Sequence, residues 1–334
     1  MIFILIEKEI NFSDLQKPSF SPYVTNRNTN LINSNPAIYE ENFSITLLRN
    51  SVGKSNIDLV TQSTTEKFQL IDVQNGKIEI GIFNSKTIQK KPVILFIHGG
   101  GFVAGNFFQY RNQCRLMAEK SNAIVIACNY RLAPENPFPT GLNDCREVYQ
   151  WILDNAINLN IDTNKIYLVG DSAGAGLAIS MCLKEKLLVK RIFNIYGCVD
   201  ILPTSNENYV WDYNQFPIIE EQKPLLIKKL EKFYHQLNLF VGVYLQNNED
   251  FSQSDISPIY ATDFCNLPPM IYFEAEFDYF KPSNRYMCEI LKKVVDVTIY
   301  SYRGMDHGFF ESLGYTPEAE HIIQTIAKVI RDNS

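Results

Sequence analysis

Long apolar runs and clusters of basic residues are both missing from this 334-residue sequence. No stretch approaches the roughly 20 apolar residues that a membrane-spanning helix needs. Residues 1–6 are apolar, but Glu7, Lys8 and Glu9 interrupt them too early for a signal peptide. A formal net charge of −6 and the lack of basic runs argue against a nucleic-acid-binding protein. We therefore expect a soluble, cytoplasmic protein with no membrane span and no nucleic-acid partner.

Paired cysteines are missing as well. The seven cysteines are an odd number, lie far apart and form no C-x-x-C pair. Several fall within apolar stretches, as Cys128 does after Ile126 and Ala127. Buried free thiols in a reducing compartment are the state that this pattern predicts.

The sequence is 46% hydrophobic, which suffices for one large domain, and its regular part begins near residue 66. There Asn75 and Gly76 separate two strand-like segments and predict a β-hairpin. Buried strands then alternate with helices, which is typical of a mostly parallel, doubly wound sheet. The predicted strands are 68–73, 78–83, 92–97, 123–128, 166–169, 192–196, 270–273 and 295–302, and the predicted helices are 109–120, 142–153, 225–237, 283–293 and 317–330, with another from residue 173.

One stretch interrupts this alternation. Residues 200–260 carry aromatic and proline residues and one predicted helix, but no predicted strand. A long insertion at the carboxyl end of a strand most often forms a lid over the site. We therefore expect this insertion to cover the functional site.

The segment around Ser172 carries the strongest chemical signal. A short buried strand precedes it and helix-forming residues follow from Ala173, so Ser172 lies on a sharp strand-to-helix turn. Gly170 and Gly174 remove the side chains that would collide there, as in the G-x-S-x-G nucleophile elbow. The turn predicts an exposed hydroxyl at the carboxyl end of the strand, which makes Ser172 a candidate nucleophile.

A serine nucleophile needs hydrogen-bond donors for the oxyanion. Residues 98–102 read His-Gly-Gly-Gly-Phe and follow a buried strand, and the glycines free the backbone to turn its N–H groups inward. A flexible loop and a phosphate cradle are the alternatives. The phosphate cradle is the weaker one, because neither G-x-G-x-x-G nor a Walker lysine follows. With the elbow downstream, the loop is interpreted as part of an oxyanion hole.

The nucleophile also needs a base, and the sequence holds only four histidines. His98 belongs to the glycine loop, where its ring is better placed to hold the loop than to take a proton. His235 lies in the helix of the insertion, and His321 lies in the terminal helix. His307 follows the last predicted strand and comes after the nucleophile in chain order, so it is the candidate base.

The candidate for the orienting carboxylate is Asp278, which lies just past the predicted strand 270–273 and before His307. Glu274 and Glu276 are its nearest rivals. Four other aspartates are interpreted as solvated charges: Asp212, Asp250, Asp255 and Asp296.

Together these segments resemble the hormone-sensitive-lipase-like family of α/β-hydrolase esterases, relatives of arylacetamide deacetylase. The resemblance begins near residue 66 and runs to the end of the chain in the family's order. Two positions depart from the family pattern: Pro282 replaces an acidic residue four positions after Asp278, and Phe280 replaces a leucine. The matching segments are 98–102 (HGGGF), 130–135 (YRLAPE), 137–139 (PFP), 170–174 (GDSAG), 257–258 (SP), 267–269 (LPP) and 307–309 (HGF).

The resemblance implies an α/β-hydrolase fold, a mostly parallel eight-stranded sheet under a helical cap. It divides the chain into a core of residues 61–199 and 257–334, an N-terminal cap segment of 1–60 and a cap insertion of 200–256. The implied catalytic triad is Ser172, Asp278 and His307; the implied oxyanion donors are Gly100, Gly101 and Ala173; and the supporting residues are His98, Gly99, Gly170, Asp171 and Gly174.

The resulting hypothesis is a serine carboxylesterase that hydrolyses a small-molecule ester through an acyl-enzyme, with no metal or cofactor. A preference for acyl chains of roughly eight carbons or fewer follows if aromatic residues of the insertion crowd the pocket. An amidase or deacetylase on the same triad is one alternative. A non-catalytic binding relative is another, although such relatives lack the histidine. The oligomeric state stays open, with a homodimer as one candidate. The aromatic residues are Trp211, Tyr213, Phe216, Phe233 and Tyr234.

Overall fold

The structure, a computed structural model, describes residues 3–34, 44–85, 89–246 and 250–333. Part of the predicted N-terminal cap segment (35–43) and part of the predicted insertion (247–249) lie outside these described residues.

A single sheet organises the chain, in the order β1-β9-β8-β7-β6-β4-β5-β3-β2. The hairpin β2–β3 and the β3–β5 pair are antiparallel, and the remaining neighbours are parallel. The central strands consist of buried apolar residues because helices cover both faces of the sheet. The strands are β1 (Leu5–Ile10), β2 (Thr64–Val73), β3 (Gly76–Ser85), β4 (Lys91–Ile97), β5 (Ile124–Cys128), β6 (Ile161–Asp171), β7 (Arg191–Ile195), β8 (Met270–Phe277) and β9 (Val297–Asp306).

The predicted hairpin and the mostly parallel sheet are confirmed, but the strand count of eight is wrong. The ninth strand is β1, which comes from the segment assigned to the N-terminal cap and pairs in parallel with β9. Its central residues are exposed, as expected for the edge of a sheet. Two ion pairs fix it, Glu7 with Arg285 at 2.8 Å and Glu9 with Arg303 at 3.3 Å. The two glutamates of this edge strand thus pair with arginines that are distant in the chain.

The helices surround this sheet. Helix α3 packs against α8, and α4 packs against α5. Among the described residues between 200 and 260 there is no strand, and the predicted helix of the insertion extends to 23 residues as α6. No described helix is both long and apolar enough to cross a bilayer. The helices are α1 (Pro22–Ser34), α2 (Ile45–Ser51), α3 (Arg111–Ser121), α4 (Thr140–Asp154), α5 (Ala173–Lys184), α6 (Lys223–Leu245), α7 (Lys281–Leu291) and α8 (Pro317–Asp332).

Helices α1, α2 and α6 fall within the two segments predicted to form the cap, and we refer to them as the cap helices. Lys229 of α6 donates a hydrogen bond to the side chain of Asn28 of α1 at 3.0 Å. These two residues are 201 positions apart in the chain, so the two predicted cap segments are in contact.

Candidate active site

Ser172 occupies a strained turn between β6 and α5. Its backbone angles are φ 50° and ψ −120°, outside the conformations that residues with a side chain ordinarily adopt. The Ser172 N–H donates to the carbonyl of Ile195 at 2.9 Å, which ties the turn to the neighbouring strand β7. A β-carbon on Gly174 would lie 2.0 Å from the carbonyl oxygen of Ile97, and one on Gly170 would lie 2.5 Å from the backbone of Gly174. Both glycines are therefore required by close backbone contacts.

A chain of hydrogen bonds runs from this serine through His307 to Asp278. The Ser172 Oγ and His307 Nε2 are 2.9 Å apart, and His307 Nδ1 and Asp278 Oδ2 are 2.8 Å apart. The second carboxylate oxygen of Asp278 accepts the N–H of Phe280 at 2.8 Å, and the side chain is almost fully buried. The structure thus brings together the three side chains of the triad predicted from the sequence.

The two rival carboxylates have other partners. Strand β8 is longer than predicted, so Glu274 and Glu276 lie within it. Glu276 pairs with Arg303 at 3.1 Å and accepts the N–H of Gly304 at 2.7 Å, and burial raises its pKa. Glu274 accepts two bonds from Arg285, one of them at 2.7 Å. Both carboxylates therefore connect β8 to neighbouring elements.

Of the four histidines, His307 is the one that lines the pocket at Ser172, as far as the described residues show. His98 is buried against the ring of Tyr130, with ring centroids 4.4 Å apart, and its Nδ1 lies 2.7 Å from the carbonyl oxygen of Gly99. Burial lowers its pKa to about 4, so it is neutral near pH 7. His235 is exposed on α6, and His321 contacts the hydroxyl of Tyr302 at 2.9 Å.

The glycine loop after β4 is held by Asp171, the residue before the serine. The Gly99 N–H donates to one carboxylate oxygen of Asp171 at 2.8 Å, and the Tyr110 hydroxyl donates to the other at 2.9 Å. Burial, reinforced by the charge of Glu311, raises the pKa of Asp171 to about 7. Gly100 and Gly101 of this loop line the same pocket as Ser172 and Ala173. The loop therefore has a fixed backbone beside the serine hydroxyl.

Comparison with known proteins identifies the family of the chain. A family model described as alpha/beta hydrolase fold matches residues 94–311, well over half of the chain. The chain belongs to this α/β-hydrolase family.

Individual relatives of this α/β-hydrolase include several esterases. Carboxylesterase NlhH of Mycobacterium tuberculosis is 38% identical over 240 residues, 68% of this chain and 69% of that protein. A protein of Acanthamoeba polyphaga mimivirus, named as an alpha/beta hydrolase, is 32% identical over 219 residues, and the match spans 59% of its length. A hyperthermophilic esterase from Pyrobaculum calidifontis shares the fold with a TM-score of 0.77 at 23% identity, covering 94% of this chain and 99% of that one. The resemblance to the hormone-sensitive-lipase-like esterases is thereby confirmed.

The pocket of this hydrolase encloses about 130 Å³, and the cap helix α6 forms one wall. Four side chains of α6 line the pocket, at a first position and three, four and seven residues after it: Phe233, Gln236, Leu237 and Phe240. The wall was predicted only in part. Of the five aromatic residues expected to crowd the pocket, Phe233 alone lines it, whereas Trp211, Tyr213 and Tyr234 line a separate depression and Phe216 is buried elsewhere. The helical spacing of Phe233, Leu237 and Phe240 is the signal that identifies the wall.

Aromatic rings surround the imidazole of His307. The ring centroids of Phe233 and Tyr196 each lie 4.8 Å from that of His307, and the centroid of Phe280 lies 5.6 Å away. Phe280 is the residue that departs from the family's leucine, and it also lines the pocket. These contacts limit the rotation of the imidazole between Ser172 and Asp278.

Proposed function

We propose that this protein is a serine carboxylesterase that hydrolyses short-chain acyl esters. The observation that carries the proposal is the continuous chain of hydrogen bonds from Ser172 through His307 to Asp278, which opens into a pocket beside the glycine loop. The esterases among the relatives support the same reaction class.

In the proposed reaction, His307 Nε2 takes the proton of Ser172 as the hydroxyl oxygen attacks the ester carbonyl carbon. Asp278 holds the imidazole in the required tautomer and stabilises the imidazolium. The protonated imidazole then gives its proton to the departing alcohol oxygen, which leaves an acyl group on Ser172. A water molecule, activated by His307, attacks the acyl carbonyl and releases the acid and the free serine.

The oxyanion formed in each step is assigned to the N–H groups of Gly100, Gly101 and Ala173. All three residues line the pocket next to Ser172. The N–H of Ala173 is also at the first turn of α5, where the helix favours negative charge. Removal of one such donor typically costs ~3 kcal/mol of transition-state stabilisation.

The preference for short acyl chains is argued from the pocket wall. Phe233, Leu237 and Phe240 bring bulky apolar groups against a pocket of about 130 Å³. Such a volume suits an acyl group of a few carbons better than a long fatty acyl chain.

A chain-length series of p-nitrophenyl esters, together with a matched aryl amide, tests this function. We expect the highest kcat/KM for acyl chains of roughly eight carbons or fewer and much slower hydrolysis of the amide. Rates that rise toward 16-carbon esters would contradict the short-chain assignment. An amide hydrolysed faster than the matched ester would instead favour an amidase or deacetylase.

We also propose a cytoplasmic location, supported by the cysteines. None of the seven forms a disulfide within the described residues, and six are buried. Free thiols of this kind are typical of a reducing compartment. Cell fractionation tests the location, and light scattering of the purified protein measures the oligomeric state, for which a homodimer is one candidate.

A further inference from the structure

The residue before His307 is a completely buried aspartate, Asp306, at the end of β9. It neither contacts the triad through a hydrogen bond nor lines the pocket, as far as the described residues show. Its carboxylate pairs instead with two cations, Arg27 of α1 and Lys229 of α6. The side chain of Asn28 donates a further hydrogen bond to it at 2.9 Å. Both long cap helices therefore converge on the residue adjacent to the catalytic histidine.

The residue after His307 is also held by the N-terminal segment. The amine of Lys54, three residues beyond α2, donates a hydrogen bond to the carbonyl oxygen of Gly308. The residues on both sides of His307 are thus contacted by side chains from the two segments that carry the cap helices.

Breaking the ion pairs of Asp306 is expected to destabilise the folded protein. A buried carboxylate without a counter-charge is strongly destabilising, and two partly buried cations that lose their shared anion are destabilising as well. The position of β9 at Asp306 is consequently tied to the position of α1 and α6. A small displacement of this backbone moves His307 relative to Ser172, and catalytic geometry tolerates such displacements poorly.

We infer that Asp306 is a positioning residue through which Arg27 and Lys229 couple the docking of the cap helices to the placement of His307. This inference rests on the proposed hydrolysis by the triad. The cap helices then have two roles, because α6 forms the pocket wall and also fixes the base. Loss of the ion pairs is expected to lower kcat more than it raises KM, since none of the side chains that line the pocket is replaced.

The test is Lys229→Met, which removes the charge and keeps an unbranched side chain of similar length. Its matched control is Lys228→Met, one position earlier on α6, where the lysine is exposed. We expect Lys229→Met to lower kcat for p-nitrophenyl butyrate on the order of 10²-fold with a small change in KM. Lys228→Met should match the wild type in both constants. Lys229→Arg, which keeps the charge, should recover most of the lost kcat.

Rates are expressed per active serine, titrated with an organophosphorus ester, so that unfolded protein does not count as lost kcat. A Lys229→Met variant with a lower Tm but wild-type kcat would overturn the inference, because the ion pair would then be merely structural. If Lys229→Met does not fold, Asn28→Ala removes a neutral partner that Asp306 and Lys229 share, keeps both charges, and is expected to lower kcat by a smaller factor. An unchanged kcat in Asn28→Ala would then overturn the inference. Failure of the proposed function itself would look different, since the wild type would hydrolyse no ester.

Discussion

Four buried carboxylates belong to the proposed triad or lie close to it, and each has a different hydrogen-bond or ion-pair partner. Asp278 contacts the imidazole of His307. Asp171 holds the glycine loop, Glu276 pairs with Arg303 of β9, and Asp306 pairs with the cap helices. A carboxylate in the right part of the sequence is therefore insufficient to assign the triad. The contact with the imidazole is the observation that supports Asp278 as the acid of the proposed triad.

The assignment of Asp278 over Glu276 predicts very different effects of two isosteric substitutions. Asp278→Asn should lower kcat on the order of 10⁴-fold, because an amide leaves the imidazole in the wrong tautomer. Glu276→Gln should cost well under tenfold in kcat, since this side chain supports β8 and β9. Its Tm should fall, because a buried ion pair is lost. A greater loss of kcat from Glu276→Gln, measured at the same pH, would overturn the assignment.

The environment of Asp171 predicts a pH-dependent stability. Burial raises its pKa to about 7 from an ordinary 3.8, so between these values the folded chain holds a proton that the unfolded chain lacks. The contribution of Asp171 to the free energy of unfolding therefore falls as the pH rises through this window. Asp171→Asn removes the titration.

The Tm of Asp171→Asn relative to wild type should accordingly increase between about pH 5 and about pH 8. Thermal unfolding of both proteins across this range measures the difference. A constant difference would show that Asp171 does not exchange its proton on unfolding.

At the scale of the elements, helix α6 and the glycine loop are in direct contact. Gly101 has a φ of +61°, and a β-carbon there would lie 2.3 Å from Phe240 Cδ2 of α6. Helix α6 can therefore pack this close to the loop that is proposed to bind the oxyanion only because residue 101 has no β-carbon.

This contact predicts different effects on kcat for two Gly→Ala substitutions. Gly101→Ala should displace the loop or Phe240 and lower kcat on the order of 10²-fold, the effect of losing one oxyanion donor. Gly242 also lies on α6, but a β-carbon there would meet nothing within 4 Å. Gly242→Ala should leave kcat unchanged and raise stability by about 0.5–1 kcal/mol. Equal kcat for the two variants would contradict the proposed role of the loop.

The wall formed by α6 predicts which residue limits the acyl chain. Phe240→Ala should shift the preferred p-nitrophenyl ester toward longer chains, because it removes a bulky ring from the pocket. Tyr234→Ala is the control, since Tyr234 lies on the same helix outside this pocket. An optimum that moves in the control as much as in Phe240→Ala would assign chain selection to another part of the cap.

At the scale of the whole molecule, the sequence predicts the core better than the cap. Residues 92–97 of β4 and 166–169 of β6 are continuous apolar runs, and Gly170, Ser172 and Gly174 leave few conformations for the turn between β6 and α5. Both are local signals. The chain order of nucleophile, acid and base then follows from the fold.

The features that the sequence does not predict depend on contacts between residues that are distant in the chain. Strand β1 contains Glu7, Lys8 and Glu9, and it becomes a strand because its backbone pairs with β9 at the edge of the sheet, where its glutamates also meet arginines of α7 and β9. The extension of β8 through Glu274 and Glu276 depends on the same arginines, Arg285 and Arg303. The ion pairs of Asp306 are equally hard to predict from the sequence, because its partners are on α1 and α6. No local sequence pattern predicts ion pairs of this kind.

The central claim is that Ser172 is the nucleophile of an esterase, and covalent titration tests it most directly. A fluorophosphonate ester forms a P–O bond with the attacking serine oxygen and releases fluoride, so each active serine gains one phosphonyl group. Intact-protein mass spectrometry should show one adduct per chain, located on the Ser172 peptide, with hydrolysis of p-nitrophenyl butyrate lost in proportion. The Ser172→Ala variant, with an unchanged circular dichroism spectrum, should gain no adduct and have no turnover above background. An adduct at another residue that abolishes hydrolysis, or full turnover by Ser172→Ala, would contradict the account.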